Sequence, residues 1–246
     1  MIKLINLKKT KIDKFRYYFL ELFNQLHDKK LSKVKDIFKY VSKDTDLRSS
    51  IFNALNMHPY LGSFNDYLQL ELKKILNVNL INWTYPQIRL DGLFSKRHLT
   101  PLHQEEWIQF PNKTGYIIWV PISESGASIW VADDNFHDKK IQNELKMRCV
   151  MSYLQKENLN KFNEKDIKFI KSNKYLKKFQ VNYGQALIFS KEIPHKSDLS
   201  SNRVTVISRF EEINNLKNFN RSQLAKCPGD VTNFWDKKIK SLYEDL

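Results

Sequence analysis

The 246-residue chain has only two cysteines, Cys149 and Cys227. Two thiols cannot build the disulfide framework of a small secreted domain, and their scarcity favours a reducing compartment. Six glycines and seven prolines are too few for collagen-like, linker-rich or low-complexity sequence. No apolar run approaches the ~18 residues of a membrane span. The opening Met1-Ile-Lys-Leu-Ile-Asn-Leu-Lys has neither the apolar core nor the small-residue cleavage site of a signal peptide, so a cytoplasmic location is expected. Arginine is scarce as well: of 41 basic residues only eight are Arg, and the 33 lysines are spread from Lys3 to Lys240. Against 27 acids the net charge is +14, which permits nucleic acid, an acidic membrane surface or an anionic substrate. A lysine-rich solvated surface explains the same balance without a polyanion. There is no P-loop, no Gly-x-Gly-x-x-Gly, no Gly-x-Ser-x-Gly and no cysteine pair at zinc-finger spacing.

What is abundant is core material: 41% hydrophobic residues, with 13% aromatics. A chain of this size can bury one sizeable core, so residues 1–246 are expected to form a single domain. Residues 1–82 read as helical. Phe15, Tyr18, Phe19, Leu22, Phe23 and Leu26 recur at helical spacing, Ser32 and Asp46 are candidate helix caps, and the stretch after Ser63 is amphipathic. Near Trp83 the pattern changes to short β-branched runs. These are Gln87-Ile-Arg-Leu-Asp, Thr114 to Ile122, Ala127 to Ala132, Phe179 to Gly184, Gln185 to Ser190 and Arg203 to Phe210. Such strands, with turns between them, indicate an antiparallel sandwich or barrel over residues 83–211. A charged segment, 138–178, reads as a helical insertion, and 212–246 as a helical tail. The fold class is therefore α+β: a double-stranded β-helix (jelly-roll, cupin-like) core with helical additions.

Three pieces carry chemistry: His103-Gln-Glu105, His195, and the strand bearing Arg203 and Arg209. Taken alone, His-x-acid is near what chance supplies. On a strand, however, residues two apart point the same way, so His103 and Glu105 can offer an imidazole and a carboxylate to one ion. His195 follows an apolar strand and can return to the same mouth in a jelly roll. Two His and one carboxylate bind one face of a metal and leave three positions open. Such donors suit Fe(II), and also Zn, Mn, Co or Ni. Arg203, Thr205, Ile207 and Arg209 share one strand face. Arginines facing inward would need an anion, since a guanidinium fork matches a carboxylate. Otherwise that face is solvated, or one arginine pairs with Glu211 or Glu212. Gln87 and Arg89 also share a face, which either reaches the same cavity or is an ordinary exposed strand face.

Thr100-Pro-Leu-His-Gln-Glu, Trp119-Val-Pro-Ile, Gly184-Gln-Ala-Leu-Ile-Phe-Ser and Pro194-His-Lys-Ser197 followed by Arg203 resemble the phytanoyl-CoA dioxygenase-like 2-oxoglutarate/Fe(II) oxygenases, over residues 83–211. A looser likeness is to the oxygenases of carbohydrate gene clusters. The resemblance implies a metal site at His103, Glu105 and His195, a small polar residue at Ser197, and Arg203 gripping the far carboxylate of 2-oxoglutarate. Arg209 falls where some relatives carry a second inward arginine, and Gln87 and Arg89 are further candidates around the cosubstrate. It implies Fe(II), 2-oxoglutarate and O2, with succinate and CO2 as coproducts. The implied substrate is a small polar metabolite or a carbohydrate-related compound such as a sugar or nucleotide-sugar.

Two departures stand out. The acid is Glu rather than the commoner Asp, and the His195–Arg203 loop is short, which leaves Arg209 as an alternative cosubstrate anchor. Two rival readings remain. One is an AlkB-like nucleic-acid demethylase, suggested by the Arg203-x-Thr-x-Ile-x-Arg209 spacing and the charge, although nucleic acid is disfavoured by the short loop. The other is a jelly-roll module that binds a metal or sugar without turnover.

Overall fold

A computed structural model describes residues 1–42, 59–82, 86–92, 102–105, 114–133, 136, 170, 174–198 and 202–212. Nine strands and three α-helices are defined among them. They run β1 (Ile2–Asn6), α1 (Lys9–His27), a 3-10 turn (Val34–Ile37), α2 (Phe38–Val41), α3 (Pro59–Leu76), β2 (Leu80–Asn82), β3 (Gln87–Asp91), β4 (Gly115–Pro121), β5 (Ala127–Ala132), β6 (Leu176–Val181), β7 (Gln185–Ser190), β8 (His195–Ser197) and β9 (Arg203–Glu212).

Every strand pairing is antiparallel. The larger sheet is ordered β1-β7-β4-β9, with β2 and β3 both pairing to β9, and the smaller is β6-β5-β8. His103 bridges His195 beside β8. Two antiparallel sheets between which the chain passes after β4, β6, β7 and β8 are consistent with a jelly roll. The tight β4–β5 turn depends on Gly126, at φ +68, where a Cβ would lie 2.4 Å from the Val181 carbonyl oxygen.

Alternation along β9 sorts its side chains onto two faces. Val204, Val206 and Phe210 join Ile88, Leu90, Ile118, Val120 and Ile188 in a core shared with the helices. The helices present Ile12, Phe15, Phe19 and Phe23 of α1 and Leu61, Phe64, Leu68 and Leu72 of α3 to that core. Phe15 and Phe64 stack at 4.7 Å between ring centroids. A second core between the sheets contains Ile117, Trp119, Leu187 and Phe189 facing Ile129 and Val131. Polar ties close the helical layer onto the sheets. The Val34 N–H donates to Glu124 Oε1 at 3.0 Å, Arg16 lies 3.6 Å from the same oxygen, and the Tyr183 hydroxyl donates to Asp13.

The structure corrects the expectation that residues 1–82 are helical throughout. Ile2–Asn6 is an outer strand on β7 and Leu80–Asn82 a short strand on β9. A five-residue segment has too little length to declare a period, and β7 supplies its hydrogen-bond partners. Nor does Ser32 cap a helix: the residue at the start of the 3-10 turn is Lys33, without a side-chain cap. The amphipathic helix starts at Pro59, ahead of Ser63; proline suits a first helical turn because its missing N–H has no partner there. At the other boundary, strand β6 already begins at Leu176. Asp46, Cys149, Cys227, nearly all of the 138–178 insertion and the 213–246 tail lie outside the described residues.

Candidate metal centre

Backbone pairing assembles the donors. The His103 N–H donates to the His195 carbonyl at 3.2 Å, and the His195 N–H returns to the His103 carbonyl at 2.9 Å. Two residues on, the Glu105 N–H donates to the Lys191 carbonyl at 3.0 Å, while the Gln104 side-chain amide donates to the Glu192 carbonyl. Segment 102–105 is thus stitched along 191–195, and the two imidazoles face each other at 4.3 Å between centroids.

The ligand atoms of His103, Glu105 and His195 lie within 4.8 Å of one another, and all three residues are buried. His103 Nε2 is 3.5 Å and His195 Nε2 3.8 Å from Glu105 Oε1. Neighbouring donors around one ion at the usual ~2.1 Å bond length sit about 3.0 Å apart. The cluster would therefore contract by under ~1 Å along each of these edges to close on an ion. His195 Nδ1 lies 3.0 Å from the Ile193 carbonyl oxygen. A proton on Nδ1 donates there, fixing the tautomer that leaves the Nε2 lone pair facing Glu105.

Glu105 has a second attachment. Arg209 clamps its carboxylate with both arms, Nη2 to Oε1 at 2.8 Å and Nε to Oε2 at 3.0 Å. The remaining Arg209 nitrogen, Nη1, donates to Gln87 Oε1 at 3.3 Å. Burial alone would raise the Glu105 carboxyl. The Arg209 charge, with the His103 and His195 rings close by, outweighs it and holds the group well below the usual carboxylate range. An ionised carboxylate has about four lone-pair sites; Arg209 uses two, and the rest remain for an ion. Beside this pair, Lys191 Nζ lies 3.8 Å from Glu211 Oε1, both residues being 1% exposed.

Arg203 sits at the other end of β9, six residues from Arg209, or about 20 Å along a strand. It is 0% exposed. Asp91, directly opposite on β3, lies 3.6 Å from its Nη2, and Nη1 donates to the Asp198 carbonyl. Its Nε and Nη2 find no hydrogen-bond partner among the described residues, and neither does Trp119 Nε1 on neighbouring β4. Burial lowers the Arg203 pKa, with Asp91 opposing the shift and Arg89 adding to it. Arg89 belongs to this end, 3.4 Å from Asp91.

Of the sequence candidates, His103, Glu105, His195, Arg209 and Gln87 come together, while Arg203 and Arg89 form a separate group around Asp91. Ser197 is half-buried on β8, opposite Ile129 and on the same face as His195. The alternative was that one arginine pairs with Glu211 or Glu212; Glu105 takes the Arg209 fork, and Asp91 lies against Arg203. Sequence reading did not single out Asp91 or Lys191, and Trp119 stood out only within the Trp119-Val-Pro-Ile run. A carboxylate just before Gly92 reads as a turn residue, and only the β3–β9 register sets it against Arg203.

No protein-family model matches the chain, and no curated protein sequence matches it. Solved structures of similar shape include HygX from Streptomyces hygroscopicus with nickel and 2-oxoglutarate bound, at TM-score 0.45 and 11% identity, covering 87% of this chain and 83% of that one. EvdO2 from Micromonospora carbonacea var. aurantiaca, complexed with 2-oxoglutarate, gives TM-score 0.44 and 12% identity, covering 91% of each chain. The non-heme alpha-ketoglutarate-dependent carbocyclase SnoK from nogalamycin biosynthesis gives 0.43 and 14%, covering 86% and 79%. Likenesses at this level carry neither fold nor activity by themselves. No helix among the described residues is long and apolar enough to cross a membrane.

Proposed function

We propose that the protein is a non-haem Fe(II)/2-oxoglutarate-dependent oxygenase. One observation carries the reading: His103, Glu105 and His195 converge as a buried two-imidazole, one-carboxylate cluster. That donor set covers one face of an ion and leaves room for a chelating cosubstrate and O2. Bound there, Fe(II) with 2-oxoglutarate and O2 supplies the oxidation, inserting one oxygen atom into substrate while the other leaves in succinate alongside CO2.

The chain's own residues do the rest. Ile193 fixes the His195 tautomer and Arg209 keeps Glu105 ionised. Arg203 would hold the far carboxylate of 2-oxoglutarate through the Nε and Nη2 donors that lack hydrogen-bond partners among the described residues. A buried guanidinium with unmet donors is costly unless a ligand meets them. Charge balance points the same way. Glu105 with Arg209 and Glu211 with Lys191 are neutral pairs, so a divalent ion adds two charges to a buried site. A dicarboxylate dianion offsets both. The proposed substrate is a small polar or carbohydrate-related molecule, and the +14 surface favours anionic members of that class.

The test is anaerobic loading with Fe(II), then 2-oxoglutarate and O2 with a panel of sugars, nucleotide-sugars and small acids. Succinate release dependent on both Fe(II) and O2 is expected, rising with a true substrate. Tight metal binding with no succinate under any condition would support the binding-module reading instead. Failure to bind a divalent metal at all would overturn the site.

A further inference from the structure

Glutamate is an unusual acid for this role by the resemblance noted above, and its extra methylene displaces the carboxylate. The surroundings of Glu105 account for that length. Its backbone is fixed by the Lys191 carbonyl, one residue past β7, and the Lys191 N–H is itself tied to the Gly115 carbonyl of β4. From that anchor its carboxylate extends to the inner face of β9, where Arg209 takes both oxygens. Arg209 in turn is steadied by Gln87 of β3, which pairs with Ile207 of β9 and so lies diagonally across from Arg209. All three guanidinium nitrogens of Arg209 are engaged by these two residues, two on Glu105 and one on Gln87. Arg203, by contrast, keeps donors unmet among the described residues.

We infer that Arg209 and Gln87 are positioning residues for the metal-binding carboxylate, and that glutamate is required at 105 because aspartate cannot reach the clamp. This rests on the metal site proposed above. It reassigns Arg209 and Gln87 from candidate cosubstrate ligands to supports that act on the metal through Glu105. A hydrogen-bonded partner of this kind typically changes metal affinity 10–100-fold when removed. Lysine at 209 would keep the charge but lose the planar fork that grips both oxygens. Aspartate at 105 would keep the charge and the chemistry of the ligand but pull it back by about one C–C bond length, ~1.5 Å.

The experiment titrates Co(II) into the metal-free full-length chain, following the visible ligand-field band and the heat of binding. A second titration adds 2-oxoglutarate to the Co(II)-loaded protein. Wild type, Glu105→Asp, Arg209→Lys, Gln87→Met and Arg203→Lys are compared, each with a thermal melt to certify folding. Glu105→Asp and Arg209→Lys should weaken Co(II) about 10–100-fold and Gln87→Met about 3–10-fold, with an altered band. In those variants, the 2-oxoglutarate affinity of the protein saturated with Co(II) should stay within about threefold. Arg203→Lys should reverse the pattern, sparing Co(II) and weakening 2-oxoglutarate. The inference is overturned if Arg209→Lys and Gln87→Met leave Co(II) affinity unchanged, if they weaken only 2-oxoglutarate, or if Glu105→Asp binds Co(II) as tightly as wild type. Should Arg209→Lys fail to fold, Gln87→Met and Glu105→Asp decide on the same criteria. Wild type that binds no Co(II) sinks the metal-site reading itself, a result separable from a wild type that binds while the variants do not differ.

Discussion

The two faces of β9 have the same backbone and opposite purposes. On the helical side, Val204, Val206 and Phe210 are wholly apolar and completely buried. On the side facing the smaller sheet, Arg203, Arg209 and Glu211 are buried to nearly the same degree. Burying apolar groups stabilises by roughly 25 cal/mol per Å² and asks nothing of geometry beyond fit. Burying charges is costly unless each is paired. A strand that accepts that cost on one face only is using the other face to hold itself in place. Stability and chemistry should therefore separate by face.

Four changes probe that separation. Phe210→Ala, on the helical side, should cost about 3–5 kcal/mol of unfolding free energy, read by urea denaturation. The fraction that stays folded should bind metal as wild type does; a parallel loss of metal affinity would break the division of labour. His195→Ala, on the chemical side, should weaken divalent-metal binding by about 100-fold or more while shifting urea stability far less than Phe210→Ala does. Arg203→Gln should weaken 2-oxoglutarate binding by about 10–100-fold, the worth of charge-assisted hydrogen bonds of ~1.5–3 kcal/mol. Because it takes one of two guanidinium neighbours from buried Asp91, which keeps Arg89 at 3.4 Å, the paired change Asp91→Asn with Arg203→Gln should recover part of the lost stability without recovering 2-oxoglutarate binding.

The smallest effect is at the seam with the helices. Burial, with the hydrogen bond to Asp13, pushes the Tyr183 hydroxyl from its ordinary 10 up to about 12. A raised folded value means that the contribution is fully present below pH 10 and is lost as pH climbs through about 12. Tyr183→Phe should therefore flatten the fall in melting temperature between those two pH values, and leave metal affinity untouched.

Much of the core was legible because its strands are short, β-branched and separated by turns. Runs such as Tyr116 to Val120 and Val204 to Ser208 can hardly be read otherwise. The donor cluster was legible for a different reason: its residue types are uncommon together, and chemistry restricts what two histidines and an acid can do side by side. Pairing was not legible. Ile2–Asn6 is a strand only because β7 lies beside it. Arg209 takes Glu105 rather than its near neighbour Glu211, because Glu105 is brought in by main-chain bonds to 191–195. Lysine at 191 reads as one of 33 surface lysines until the structure shows it 1% exposed against Glu211. Each miss is a long-range contact, which local periodicity does not encode.

The reciprocal main-chain bridge between His103 and His195 also bears on how the protein comes into being. These positions are about ninety residues apart in the chain. The loop between them must close before the donors meet, and closing long loops is the slow part of folding. A chain emerging from the ribosome therefore offers no complete donor set until His195 has been made and folded back. Under the proposed function, metal capture becomes a late event that waits until both parts of the site have met.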